Sequence, residues 1–349
     1  NRQMVQVLSA QERKDPPTSH IRIRGTASSP GAEVQPGFPE ILGGGDAMIQ
    51  SPRDGDSSGR RLALARWITD PKNPRTARVI SNRVWQHLFG AAIVPTPNDF
   101  GKLGLPPHDP ALLDRVAVEL LEQHWSIKGL IRRLVTSSVF KMSSRYDEVA
   151  DQKDPENRYL WRFRGRRLSA EELRDSVLAV SGNLNRTRGG PGVYPPMPAE
   201  VLATSSRPGA AWGHSSAEDS ARRSLYIHVK RSLLHPMLLA FDMADTDSSC
   251  PVRFNTVQPT QALTMLNSDL TGSQAKIFAQ RLRDEADSLP TRVNRALFLI
   301  TQRKPTEERI RDNVAFILDL QSEYNLDANQ ALDVFCLMTF NLNEFIHID

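Results

Sequence analysis

Ala77-Arg78-Val79-Ile80-Ser81-Asn82-Arg83-Val84-Trp85-Gln86-His87-Leu88-Phe89-Gly90 is the stretch on which the fold turns. Ala77, Ile80, Val84 and Leu88 recur at spacings of 3, 4 and 4, which predicts one apolar face of a helix, and Gly90 stands where a left-handed C-cap belongs. Upstream, Ser58 precedes a second helical pattern over Arg60–Ile68, separated by the turn-rich joint Asp70-Pro71-Lys72-Asn73-Pro74. Downstream, Pro110 opens a helix with Leu112, Leu113, Val116, Leu120 and Leu121 on one stripe, and Ile127, Leu130, Ile131, Leu134 and Val135 mark another. Ser169-Ala170-Glu171-Glu172 is a capping-box pattern that starts a helix running through Leu173, Val177 and Leu184. Further helices are predicted over 260–266, 273–285, 291–301, 306–324 (Thr306 as cap) and 328–340.

The reading is therefore mainly α: a multi-helix domain with a few short β-strands and an extended N-terminal arm. Strands and helices do not alternate as a doubly wound sheet requires. The best strand candidate of the second half is 224–230, Ser-Leu-Tyr-Ile-His-Val-Lys, which alternates and carries branched and aromatic residues. Residues 1–58 are rich in Pro, Gly and Ser, and only His20-Ile21-Arg22-Ile23-Arg24 alternates like a strand. This zone is too small for a core of its own and is expected to pack on something else. The rest, 59–349, forms the helical domain, with a sub-boundary near 186–222.

The chain has 349 residues, 39% hydrophobic and 24% charged, which suits a sizeable core. No apolar run approaches the ~18 residues of a membrane-spanning helix. Cys250 and Cys336 are too few for a disulfide framework and lack the spacing of a zinc ribbon or of haem attachment. The sequence starts at Asn1 with no apolar leader, as expected of a processed protein or a fragment. Net charge is +4, unevenly spread: residues 59–145 carry 14 Lys and Arg against 6 Asp and Glu, and residues 281–349 carry 8 against 12. The basic part can face an anionic partner, or the two regions can neutralise each other.

Candidate chemistry follows from residue clusters. Arg83 and His87, four apart on one helix, share a face and suit an anion, or bond to backbone at the helix border. Arg162, Arg164, Arg166 and Arg167 precede the capped helix, and Arg222 and Arg223 precede the segment that ends at Lys230 and Arg231. If these meet, guanidinium groups and free amides would line a pocket for an anionic sugar or a carboxylate. The plain alternative pairs them with Glu171, Glu172, Asp175, Glu218 and Asp219. Asp242, Asp245 and Asp247, followed by Ser248 and Ser249, offer hard oxygen ligands without the frame of an EF-hand, so no metal is assigned. Asp242 and Asp245 are the candidates for acid/base work. Cys250 reads as an inert thiol, Gly213-His214-Ser215 only half matches a nucleophile elbow, and Pro191 spoils Gly189-Gly190-Pro191-Gly192 as a phosphate loop. With no continuous basic helix face, nucleic acid is disfavoured.

A family resemblance spans nearly the whole chain. It runs through Asn82-Arg83-Val84-Trp85, Phe89-Gly90, the segment Ile93-Val94-Pro95-Thr96-Pro97-Asn98-Asp99-Phe100-Gly101 and Trp125-Ser126-Ile127-Lys128. It continues through Asp154-Pro155-Glu156-Asn157-Arg158, Arg222-Arg223-Ser224-Leu225-Tyr226, Phe241-Asp242, Ser248-Ser249-Cys250-Pro251 and Pro259-Thr260-Gln261-Ala262-Leu263, and closes at Asn343-Glu344-Phe345. These motifs resemble the uncharacterised C-terminal domain of planctomycete-type cytochrome-c-domain proteins. Ile23-Arg24-Gly25 through Gly37 is similar to the linker before it. Where relatives read Pro-Ser/Thr-His-Pro, this chain has Pro107-His108-Asp109-Pro110, which displaces the histidine.

The resemblance implies an exported protein, periplasmic or extracellular, with a cytochrome-c-like domain upstream and an association with polysaccharide use. Haem c would belong to that upstream domain, and no cofactor is expected in this chain. It supplies no catalytic residues. The leading expectation is a binding or scaffold module that organises partners or anionic glycan. The rivals are an enzyme on acidic or sulfated polysaccharide and a structural subunit of an extracellular assembly.

Overall fold

The computed structural model describes residues 11–50, 57–205 and 210–348. The chain is mainly α with a few short antiparallel strands, and it divides into two compact units, Asn1–Met142 and Ser143–Asp349. Parts of the predicted arm, 1–10 and 51–56, lie outside the described residues. Among those described, no helix is long and apolar enough to cross a membrane.

In the first unit, β1 (Ser19–Arg22) pairs antiparallel with β2 (Pro30–Val34). The arm packs on the first helix, α1 (Arg60–Ile68): Phe38 stacks on Trp67 with centroids 4.8 Å apart and planes 2° off parallel. Glu12 completes the contact. Its carboxylate accepts from Ser57, from Ser58 Oγ at 2.6 Å and from the Arg61 amide at 3.2 Å, capping a helix whose N-cap, Gly59, has no side chain to do so. The two serine hydrogen bonds hold Glu12 at a pKa of about 2.

Three helices make the body of this unit: α2 (Thr76–Phe89), α3 (Pro110–Glu122) and α4 (Ile127–Val135). Gly90 caps α2 in the left-handed conformation the sequence requires of it, and Asp109 caps α3 through the Leu112 amide. The buried face of α2 differs from the predicted one. Ala77, Ser81, Asn82, Trp85 and Phe89 are buried, whereas Ile80, Val84 and Leu88 are only half-buried. Two polar residues turn the helix. Ser81 Oγ donates to the Val116 carbonyl (3.2 Å), and the Asn82 amide both donates to the Val94 carbonyl (3.1 Å) and accepts from the Val94 N–H (2.8 Å). Trp85 and Phe89 then stack inward at 4.0 Å.

In the second unit come α5 (Glu148–Lys153), α6 (Ala170–Ser181), α7 (Ala199–Ala203), α8 (Ala217–Ser220), α9 (Pro236–Ala240) and α10 (Pro259–Asn267). After them follow α11 (Asp269–Glu285), α12 (Leu289–Thr301), α13 (Glu307–Tyr324), α14 (Ala328–Thr339) and α15 (Asn343–Ile346). Helix α11 is the hub, packed against α6, α10, α12 and α14, with Phe278, Ala279 and Leu282 fully buried. The capping box on α6 forms as read, but the helix stops at Ser181, where Gly182 turns left-handed, short of Leu184. β3 (Arg166–Arg167) pairs with β4 (His347–Ile348).

The predicted strand at 224–230 is a correction. Ser224–Tyr226 is a 3-10 turn, and only Ile227 and His228 run extended, bridging Val193. The cause is α6: Asp175 accepts from the Ser224 N–H at 2.7 Å, and Arg174 binds the carbonyls on either side of Ala221. These bonds tie residues 220–224 to α6, and the pairing that follows is a single bridge to Val193.

Candidate anion-binding site

The loop between α5 and β3 is built on one buried carboxylate. Asp154 accepts from the amides of Arg158 (2.9 Å) and Tyr159 (2.8 Å), while its carbonyl accepts from Trp161 Nε1 (2.9 Å). Asn157, at φ 51°, donates to the Arg162 carbonyl at 2.8 Å, and Leu160 at φ 57° turns the chain back. Asn tolerates the left-handed region because its short polar side chain bonds locally; leucine is held there by the bonds around it. The resulting loop alternates basic and aromatic side chains: Arg158, Tyr159, Trp161, Arg162, Phe163, Arg164.

Arg162 is the centre of this arrangement. Its guanidinium lies 4.6 Å from the Trp161 ring centroid and 5.5 Å from that of Tyr146. Stacking uses the faces of the guanidinium and leaves its in-plane N–H donors open. Among the described residues, no carboxylate pairs with it. Tyr146 is fixed in turn by donating to Asp151 (3.1 Å), a bond that raises its phenol pKa and keeps it neutral. Arg162 and Arg164 wall a cavity of about 480 Å³ together with Ser144, Pro155, Asn157, Phe163 and Gly165. Among the described residues, no acidic side chain lines it. Tyr159 stands beside it in sequence, 85% exposed.

The sequence pointed to this arginine cluster, but the structure spends its other members. Arg166 makes two 2.8 Å bonds to Glu172; burial pushes that carboxyl up, yet Arg166 and the Ser169 amide outweigh it and hold Glu172 at about 2. Buried Arg167 bonds Asp242 (2.6 Å) and the Phe241 carbonyl. Arg222 is buried over the Tyr226 ring at 4.1 Å and donates to the carbonyls of Thr187, Gly189 and Pro191. Arg223 pairs with Asp175 (3.3 Å), Lys230 with the Ala211 carbonyl (2.6 Å) and Arg231 with Asp247 (2.5 Å). In the first unit, Arg83 donates to Asn98 (2.6 Å) and His87 is exposed; they form no shared anion site. Arg166, Arg167, Arg222, Arg223, Lys230 and Arg231 thus each have a protein partner of their own. Two of the pairings, Arg166 with Glu172 and Arg223 with Asp175, are ones the sequence also allowed; the others go to Asp242, Asp247 and backbone carbonyls.

The acidic candidates are each taken up by near neighbours. Burial raises Asp242, but Thr256 and Arg167 more than compensate and hold it below the usual carboxylate range. Asp245 is lowered by the Asp247 amide and Ser248, and Asp247 is turned to Arg231. Both acid/base candidates are therefore held as carboxylates, whereas a glycosidase-type general acid must stay protonated. Among the described residues, no group of three or more His, Cys, Asp and Glu is placed to hold a metal. Cys250 is exposed; Cys336 is buried, and burial pushes its thiol up.

His235 was not singled out by sequence. Burial and the nearby Arg174 charge push it down to about 4, and its Nδ1 has no partner among the described residues. It folds in as the neutral imidazole, while the unfolded chain takes up a proton near pH 6.5. Stability from this group is complete above pH 6.5 and drains away as pH falls toward 4, by about 3 kcal/mol in all. Urea titrations of the whole protein at pH 7 and pH 4.5 are expected to show this slope, and His235→Gln to flatten it. An unchanged slope in the variant would remove His235 as its source.

The sequence family described as PSD1, a protein of unknown function (DUF1553), matches residues 60–317. That is more than half of the chain, and the chain belongs to this family. The match starts with α1 and ends inside α13, so it takes in both α2 and the arginine-aromatic loop. No curated protein and no solved structure matches the chain.

Proposed function

We propose that the chain is a binding module for anionic polysaccharide, gripped at the Arg162–Arg164 cavity. The observation that carries it is Arg162: a guanidinium oriented by two aromatic rings, open at its edge, in a cavity with no acidic side chain among the described residues. Sulfate and carboxylate match the flat fork of donors a guanidinium offers. The volume falls within the ~300–1,000 Å³ of small-ligand sites. Exposed Tyr159 and half-exposed Tyr146 supply apolar faces of the kind a sugar ring packs on. The cytochrome-linked, exported setting belongs to the same proposal and is supported by the motif resemblance alone. The enzyme reading draws less support, since Asp242 and Asp245 are both held ionised.

Calorimetry with a chondroitin sulfate tetrasaccharide and with neutral cellotetraose tests the reading. The sulfated probe is expected to bind and to weaken with salt. Arg162→Gln is expected to cost about tenfold or more in affinity at an unchanged unfolding midpoint. Equal binding of both probes, or an Arg162→Gln variant that binds as the parent does, would sink the proposal.

A further inference from the structure

A second cavity, of about 380 Å³, lies within the first unit. Its walls are apolar: Val94, Phe100, Leu105, Pro106, Pro107 and Leu113. They are also fixed in place. Asn82 clamps Val94 by both backbone groups, Thr96 Oγ1 donates to the Asp99 carbonyl (2.8 Å) and accepts from the Leu105 N–H (3.0 Å), and Asp99 Oδ1 accepts from the Gly101 N–H (2.7 Å). A Cβ at Gly104 would stand 2.1 Å from the Asp99 carbonyl oxygen, so only glycine closes this loop. Proline at 106, 107 and 110 adds stiffness.

The polar side of the cavity is cationic. It holds Arg75, Arg78 and Asp114. Arg78 takes up Asp114 (2.6 Å), and this hydrogen bond holds the aspartate below its usual range. Arg75 spends one nitrogen on the Phe100 carbonyl, and no carboxylate pairs with it among the described residues. The balance at the mouth is one uncompensated guanidinium above a preformed apolar slot.

We infer that this cavity is a binding site for a monocarboxylate with a compact apolar body, the carboxylate on Arg75 and the body between the prolines and Leu113. The inference is independent of the glycan reading, which concerns the other unit. A neutral ligand of the same shape forfeits the charge-assisted bonds, and a polar acid such as a uronate forfeits the apolar walls.

The test is calorimetry or NMR titration of the full chain with benzoate, benzamide and glucuronate. Benzoate is expected to bind saturably, about tenfold or more tighter than either of the others, and to lose about tenfold in Arg75→Gln. Leu105 is 56% exposed at the mouth, so Leu105→Asp is expected to abolish benzoate binding while leaving the unfolding midpoint in place. That variant decides the matter should Arg75→Gln also weaken the fold. Benzamide or glucuronate binding as tightly as benzoate, no saturable benzoate binding at millimolar concentration, or unchanged benzoate binding in Leu105→Asp would each overturn the inference.

Discussion

Arg174→Met is expected to destabilise the second unit by about 3–5 kcal/mol, the range seen when a buried charge network loses one member. Arg174 is 1% exposed in the middle of α6, one of the largest fully buried side chains described. Its Nη1 donates to the Arg222 carbonyl (3.0 Å) and to Ser224 Oγ (3.2 Å), and its Nη2 donates to the Ser220 carbonyl (2.5 Å). Burial brings its pKa down to about 10, so it stays charged at neutral pH. Methionine fills the volume without the donors, and three oxygens in the 220–224 segment lose their partner. Each buried acceptor left unpaired costs about 1–3 kcal/mol. Urea unfolding followed by circular dichroism reads the effect, with Arg223→Ala as the comparison. Arg223 is exposed and, among the described residues, bound only to Asp175, so its loss is expected to cost about 0–1 kcal/mol. Similar midpoints for the two variants would mean that Arg174 is not what pins this segment to α6.

The same residues show which parts of the fold sequence makes legible. Helix ends announce themselves through chemistry confined to a few positions: Ser169 with Glu172, Thr306, Gly90 and Pro110 all do at the observed ends what their residue types predict. Faces are harder. Hydrophobic periodicity places Ile80, Val84 and Leu88 inside, whereas Ser81 and Asn82 are buried because each finds a backbone partner far along the chain. No local pattern contains that partner. Segment 224–230 fails for a like reason: its alternation fits a strand, but its first amide is taken by Asp175 of α6 and its Tyr226 carbonyl and His228 amide meet Val193 in a single bridge.

The site was legible in part. Charge clustering marks where arginines gather, but the partner of each guanidinium is a three-dimensional fact. Arg166, Arg167, Arg222 and Arg223 all lie within reach of an acid or a turn of carbonyls. Arg162 and Arg164 carry a signal the others lack, although Arg164 also donates to the Glu156 carbonyl and, of these two, only Arg162 lies over a ring among the described residues. They interleave with Tyr159, Trp161 and Phe163, and an arginine stacked on rings has its faces occupied and its edge open. That alternation, rather than the count of positive charges, separates the open guanidinium from the spent ones.

Asn82→Leu is expected to cost about 2–6 kcal/mol, because it leaves two buried backbone groups unpaired at about 1–3 kcal/mol each. Asn82 is 0% exposed and holds both the N–H and the carbonyl of Val94, itself 1% exposed. Leucine keeps the branching of the side chain and removes both bonds, so the change reads the polar clamp rather than packing alone. The consequence reaches further than the helix. Val94 begins the loop that runs through Thr96, Asp99, Gly101 and Gly104, whose own bonds fix its shape but not its position on α2. Without the clamp, that loop is expected to open to protease before the unit unfolds, and benzoate affinity to fall with it. Limited proteolysis and a urea curve on the same preparation separate the two effects, with exposed His87→Ala expected within ~0.5 kcal/mol of the parent. A loss below about 1 kcal/mol in Asn82→Leu with unchanged cleavage would show that the loop is held by its prolines and glycines alone, since two such bonds cannot then be carrying it.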